Sequence, residues 1–419
     1  MLRLALLILA VVVVAGCGPV ASERQTVRFW TMGREGEVVQ QLLPEFERRN
    51  PDIEVRVQQV PWSAAHEKLL TAFAGDTLPD LCQLGNTWLP ELAALNALTA
   101  LDDFVSRSTS IETADYFRGI WDTNLVGGAL RGIPWYVDTR LIFYRSDILR
   151  EAGVEPPSDW ASWQRALAAV SASQKDRYGI LLPLNEPEPL IALALQQPEP
   201  LLREDGRWGG FSSAGFRRAL DFYAAMFRNG WAPAIGGAQI SNVWSEFGRG
   251  RFVFYISGPW NIGEFKRRLP ASVQDDWMTA PLPGPHGPGA STAGGSSLVI
   301  FRSSPRKAAA WRLIEYLSEP AVQIRFHELT GNLPPRRSAW HDERLAGDGF
   351  ARAFRAQLER VKPAPKVPEW ERIVNEMQVT AEAVVRGRVT VDEATRELDR
   401  KVDAILEKRR WLLARGNSR

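Results

Sequence analysis

The sequence predicts an α/β fold with room for two domains, on three observations. Of the 419 residues, about 400 remain once an N-terminal export signal is set aside, enough for two cores at roughly 100–200 residues each. Within about sixty residues from Thr26 a strand–helix–strand–helix–strand pattern appears, the mark of a parallel sheet covered by helices. Hydrophobic residues make up 45% and charged residues 24%, the balance of an ordinary globular protein.

The chain opens with the export signal. Met1-Leu2-Arg3 carries a positive charge, Leu4 to Val14 is apolar, and Ala15-Gly16-Cys17 follows. A charged start, an apolar core and a small-residue end describe a secretory signal, and the run is short of the ~20 residues that span a bilayer. Val14-Ala15-Gly16-Cys17 resembles the lipobox of bacterial lipoproteins. That resemblance implies removal of residues 1–16, lipid modification of Cys17, and a membrane-tethered location outside the cytoplasm. An ordinary signal with an incidental cysteine is the other reading. Residues 17–25 then form a tether, in which eight extended residues reach about 28 Å at most.

Thr26 to Trp30 reads as the first strand, and Val38, Val39, Leu42, Leu43 and Phe46 recur at helical spacing up to Asn50-Pro51, with Pro44 predicting a kink. Ile53, Val55 and Val57 alternate as a second strand. A helix bearing Leu69, Leu70 and Phe73 ends at Gly75, and Pro79 to Leu84 is a third strand. Gly132 to Tyr144 reads as two strand pieces around a turn, and Ser158 as the cap of a helix with Trp160, Trp163 and Leu167 on one side. Phe216, Leu220, Tyr223 and Phe227 form a helical stripe ending at Gly230, and Arg251 to Ser257 is a strand broken by Gly258-Pro259. The Pro/Gly-rich stretch 281–295 suits a loop, linker or hinge. Helices carrying Trp311, Ile314 and Leu317, then Phe350, Phe354 and Leu358, precede a final helical pair in which Thr390-Val-Asp-Glu393 is a capping box.

Several function classes are disfavoured. A net charge of +2 leaves no electrostatic footprint for nucleic acid. Cys82 is the one other cysteine, so acylation of Cys17 would leave no disulfide, and the apolar run around Cys82 suits a buried thiol. The four histidines lack metal-ligand spacing, and neither a GxSxG elbow nor a phosphate-binding GxxxxGK[ST] loop occurs. Close carboxylate pairs (Glu35/Glu37, Asp102/Asp103, Glu186/Glu188) keep a secreted carbohydrate-active enzyme open as an alternative.

The ordered set Phe29-Trp30-Thr31-Met32-Gly33-Arg34-Glu35-Gly36-Glu37, Leu78-Pro79-Asp80, Gly85-Asn86-Thr87-Trp88, Pro134-Trp-Tyr-Val-Asp-Thr-Arg140, Ser257-Gly258-Pro259-Trp260-Asn261, Ala293-Gly294-Gly295-Ser296, Leu333-Pro334-Pro335-Arg336 and Thr390 to Ala394 resembles the extracytoplasmic sugar-binding proteins of ABC importers. The resemblance is in particular to those for maltose, trehalose and related disaccharides. The resemblance spans nearly the whole mature chain. It implies a periplasmic-binding-protein type II fold: two α/β lobes joined by crossing strands, with a disaccharide or related sugar in the cleft between them. It also implies a non-enzymatic receptor without cofactor that is monomeric and delivers its ligand to ABC permease subunits. The expected lobes are 26–137 with 297–345, and 138–296 with 346–410, followed by a tail at 411–419. Hinges are expected near Val137–Arg140 and Ala293–Ser297. The same fold would also accommodate a glycoside osmolyte or an oligosaccharide.

A sugar ring offers C–H-rich faces to aromatic planes and a hydroxyl rim to carboxylates, amides and Arg, and open α/β sheets place ligands just past strand ends. On that basis the expected contacts are Trp30, Glu37, Asn86, Trp88, Tyr136, Asp138, Trp260, Gly294, Gly295 and Arg336. Each has a structural alternative. Trp30 could be core, and Glu37 could answer a helix dipole. Asp138 could pair with Arg140 at the hinge, Gly294-Gly295 could be a plain hinge, and Arg336 could form a surface ion pair. Trp370 shares a stripe with Ile373 and Met377 and reads as core. Pro187 stands where relatives often carry an aromatic, which puts one wall of the site in doubt.

Overall fold

In the computed structural model, residues 24–240 and 242–416 are described. Cys17, the expected signal at 1–16 and most of the expected tether lie outside the described residues. Along the chain, β1 (Gln25–Met32) is followed by two short helices, Glu35–Val39 and Leu43–Arg49, then β2 (Ile53–Val60), the helix Trp62–Ala74 and β3 (Leu81–Gly85). The single kinked helix expected around Pro44 is instead broken. Pro44 falls in the first turn of the second piece, where its missing N–H costs nothing.

The main strands that follow are β4 (Ile133–Asp138), β5 (Leu141–Arg145), β6 (Tyr178–Leu181), β7 (Phe252–Ser257), β8 (Trp277–Ala280) and β9 (Gly294–Ile300). They divide between two sheets. One has the order β2-β1-β3-β9-β4, the other β8-β5-β7-β6. In the first, β1 pairs parallel with β2 and β3, as the repeated strand–helix pattern predicts, whereas β9 enters antiparallel between β3 and β4. The strand pieces of 132–144 belong to different sheets, so the turn between them is a crossing from one lobe to the other.

The expected lobe boundaries shift at these crossings. Asp138 ends a strand of the first sheet, and residues 294–296 begin β9 in that same sheet. Both were expected in the second lobe. Arg140 N donates to Ser291 Oγ at 3.2 Å, so the two crossings are stitched together where they pass. The stretch 281–295 is largely shielded from solvent, with His286 and Pro288 exposed, and holds short paired segments. Gly295 sits at φ +134°, and a Cβ there would collide with the Tyr136 carbonyl. Glycine at this position is required by the close approach of β9 to β4.

Each sheet is covered on both faces. Phe29, Val27 and Ile133 face helices from 35–49 and 307–330, while Cys82 (0% exposed) and Leu84 face Leu69 and Leu92. Ile142, Phe254 and Ile180 pack with Trp163, Leu220, Trp370 and Leu398 in the other lobe. Helix Trp160–Ala172 is capped by Asp159, one residue after the expected Ser158. Its carboxylate accepts from Ser162 N in a capping box. The Thr390 capping box forms as read from the sequence. Among the described residues no helix is long and apolar enough to cross a membrane.

Candidate ligand-binding cleft

The strand ends of both sheets converge on a cavity of about 770 Å³, within the usual size of small-molecule sites. From the first lobe come Glu35, Trp62, Asn86, Thr87, Trp88 and Tyr136, and from the second Pro187, Glu188, Trp260, Trp370 and Glu371. The crossings supply Asp138, Arg140, Gly294 and Gly295.

On the first lobe, Trp88 follows β3 on a one-turn helix and meets Trp62 edge-on with ring centres 5.7 Å apart. His66 lies against the same ring at 5.1 Å and binds Glu91 at 2.6 Å. Asn86 donates to Ala293 O at 2.7 Å, anchoring this loop to the second crossing. The Tyr136 hydroxyl accepts from Gln83 Nε2 at 3.0 Å and Ser296 Oγ at 2.9 Å. Burial, and then the charge of Glu35, hold its pKa well above the ordinary phenol value. Glu35 itself accepts from Asn332 Nδ2 at 2.7 Å.

On the second lobe, Trp260 follows the Gly258-Pro259 break after β7. Its ring folds back over Gly258, where a Cβ would land on the ring atoms. The guanidinium of Arg140 lies 4.6 Å from the Trp260 ring centre. It is 3.2 Å from Asp138 Oδ1 and 3.8 Å from Glu188 Oε1. The described lining thus carries Glu35, Asp138, Glu188 and Glu371 against Arg140, an acceptor-rich wall with flat apolar faces. Such a wall suits an uncharged ring bearing many hydroxyl donors.

Asp138 shows what this wall does to an acid. Its side chain is 30% exposed to the cavity, yet burial raises its pKa above the ordinary Asp value, with Arg140 opposing and Glu188 adding to the rise. Glu186 is raised for the same first reason. For a raised acid the charged form is penalised in the folded state. The penalty is lifted as pH falls through the folded pKa, so these groups favour folding more in acid. Ligand binding runs the other way, because a protonated carboxyl is the weaker acceptor. Affinity is therefore expected to hold at neutral pH and to fall on acidification from a pH above the usual Asp value of about 3.9. Calorimetric titration across pH checks this. If Asp138→Asn keeps the same acid limb, another group is responsible.

Seven of the ten expected contacts line the cavity: Asn86, Trp88, Tyr136, Asp138, Trp260, Gly294 and Gly295. Three do not. Trp30 lies on the opposite face of β1 from buried Phe29 and opens into a separate groove with Arg28, Arg56 and Lys68, Lys68 Nζ lying 4.7 Å from its ring centre. Glu37 is exposed on the helix after β1 and meets Gln59 at 3.4 Å; Glu35, two residues earlier, is the carboxylate in the cleft. Arg336 is buried in an ion pair with Asp115 at 2.6 Å and donates to Ser110 O and Ser318 O. Trp370 is core, 2% exposed, and its edge also forms part of the cavity wall. Pro187 and Glu188 stand in the wall that Pro187 had put in doubt. Trp62, Glu35, Arg140, Glu188 and Glu371 are lining residues not on the expected set.

Trp30→Ala is expected to leave ligand affinity at the native value while lowering stability by about 1–2 kcal/mol through lost packing. A loss of affinity comparable to that from substitutions within the cleft would return Trp30 to the binding surface.

Comparison with known proteins gives a consistent set. A family model described as bacterial extracellular solute-binding protein matches residues 30–324. The solved structure of the sugar-binding protein MalE from the phytopathogen Xanthomonas citri is 58% identical, with a TM-score of 0.90, covering 93% of this chain and 99% of that one. A Streptomyces antibioticus lipoprotein is 26% identical, over 88% of this chain and 85% of its own length. The diacetylchitobiose binding protein DasA of Streptomyces coelicolor is 21% identical, over 91% of this chain and 89% of its own.

Proposed function

The chain belongs to the family of bacterial extracellular solute-binding proteins, and on that premise we propose that it is the sugar receptor of an ABC importer, taking a disaccharide of the maltose or trehalose class. The observation that carries this reading is the cavity between the lobes, walled by Trp62 and Trp88 on one side and Trp260 on the other, with carboxylates between them. Aromatic faces hold the ring, carboxylates accept from its hydroxyls, and charged acceptors contribute about 1.5–3 kcal/mol per well-made bond. The 58% identity to a sugar-binding MalE over nearly the full length supports the same reading.

The mechanism is lobe closure about the crossings at 138–141 and 291–294. A sugar that touches both walls binds the closed form better and shifts the population toward it. Arg140 links the two events, since it belongs to a crossing and covers the Trp260 face that a sugar ring would take. The closed receptor then presents its ligand to permease subunits, with Cys17 tethering it by lipid to the membrane where they reside. A Streptomyces lipoprotein among the relatives supports that tether.

Titration with trehalose, maltose and longer α-glucans tests the reading. Expected is a saturable change in tryptophan emission, together with a rise in melting temperature, for at least one disaccharide and no turnover of it. A panel without response overturns the disaccharide assignment, and turnover overturns the receptor.

A further inference from the structure

We infer that the exposed face of the C-terminal helix Glu407–Gly416 docks on an anionic membrane surface. This helix stands outside the cleft, and the sugar reading does not depend on it. Lys408, Trp411, Leu412 and Arg415 recur at the spacing i, i+3, i+4, i+7 and so share one face. All four are exposed, and Trp411 at 51% and Leu412 at 52% are among the most exposed large apolar side chains described. The opposite side is pinned to the second lobe. Arg410 Nη1 donates to Arg207 O at 3.0 Å and its guanidinium lies 3.9 Å from the Trp208 ring centre, while Arg409 reaches Asp205 O at 3.4 Å. The helix is thus held with a fixed outward face in which two apolar side chains are flanked by cations.

Charge and size together select the occupant. From Glu407 to Arg419 the sequence has five basic residues against the single acid Glu407, a net positive charge that favours an anionic partner. Two apolar side chains cannot supply the ~1,200 Å² that a specific protein interface buries. They are enough for shallow insertion among lipid headgroups, where Trp is favoured at the water–hydrocarbon boundary and Lys and Arg stay with the phosphates. Arg415, 3.8 Å from the Trp411 ring centre, can keep its charge at headgroup level while the ring enters.

The test uses the mature chain with Cys17→Ser, so that no acyl group contributes, and vesicles of phosphatidylcholine with or without phosphatidylglycerol. Binding is expected only with phosphatidylglycerol, with a blue shift in tryptophan emission and loss of binding at high salt. The Trp411→Ala/Leu412→Ala pair and the Lys408→Glu/Arg415→Glu pair should each weaken it by roughly tenfold or more, with sugar affinity unchanged. Equal binding to both vesicles, no binding to either, or indifference to both variant pairs overturns the proposal. A concentration-dependent dimer abolished by the same substitutions would assign the face to a second copy instead, and also overturns it.

Discussion

Replacing Trp260 by alanine is expected to weaken sugar binding by at least about 2 kcal/mol, roughly 30-fold, the cost typical of truncating a tryptophan anchor. The fold should survive, because Trp260 is only partly buried at the start of its helix and no strand pairing depends on its ring. Gly258→Ala should act in the same direction without touching the indole chemically. A Cβ at Gly258 would occupy the space of the ring and force it out of the cleft. Arg140 sharpens the interpretation. Its guanidinium lies 4.6 Å from the Trp260 ring centre, an interaction worth about 0.5–2 kcal/mol. A double-mutant cycle on stability should find that coupling without sugar and lose it at saturation. Native affinity in both Trp260→Ala and Gly258→Ala would move the sugar away from this wall.

Arg336→Ala is expected to do the reverse: to cost stability and spare binding. The guanidinium and its partner Asp115 are 9% and 12% exposed. Arg336 also donates at 2.8 Å to both Ser110 O and Ser318 O. Removing one member of such a pair leaves a buried charge and carbonyls uncompensated, typically about 3–5 kcal/mol. The Asp115 carboxyl supplies a pH signature. Burial alone would raise its pKa, but the Ser338 hydroxyl and Arg336 outweigh this and hold it below the ordinary Asp value. A depressed acid contributes stability above its unfolded pKa of about 3.9 and loses it as pH falls through the folded value. Urea midpoints of native and variant protein should therefore draw together in acid. A variant of native stability with reduced affinity would put Arg336 back in the cleft.

The contrast between these two residues shows which parts of the site sequence can reveal. Trp260, Asn86 and Trp88 were legible because each follows a strand whose end is marked locally, by Gly258-Pro259 or by Gly85. Trp62 obeys the same rule, coming directly after Val60-Pro61 at the end of β2, and could have been found by it. Trp30 and Glu37 failed on parity. The first strand runs on to Met32, and an error of one or two positions turns a side chain to the other face of a sheet or helix. Arg336 failed for a different reason, since its partner Asp115 lies 221 residues away in sequence and no local pattern announces the pair. Asp138 and Arg140 lie between. Their pairing was foreseeable from proximity, but the placement of Arg140 over Trp260 depends on two lobes coming together. The fold class was legible from the repeated strand–helix units, whereas the antiparallel entry of β9 was not.

That entry has a consequence for how the chain reaches its native form. β9 lies between β3 and β4, and the whole β5–β8 sheet is encoded between β4 and β9. Strand pairs this distant in sequence form against a loop-closure cost and tend to form slowly. A polypeptide emerging from its N-terminus therefore carries its first sheet unfinished, with β3 and β4 lacking the strand that links them until residue 300 is available, while the strands of the second sheet are already complete. The lobe that begins first is the last to close its sheet.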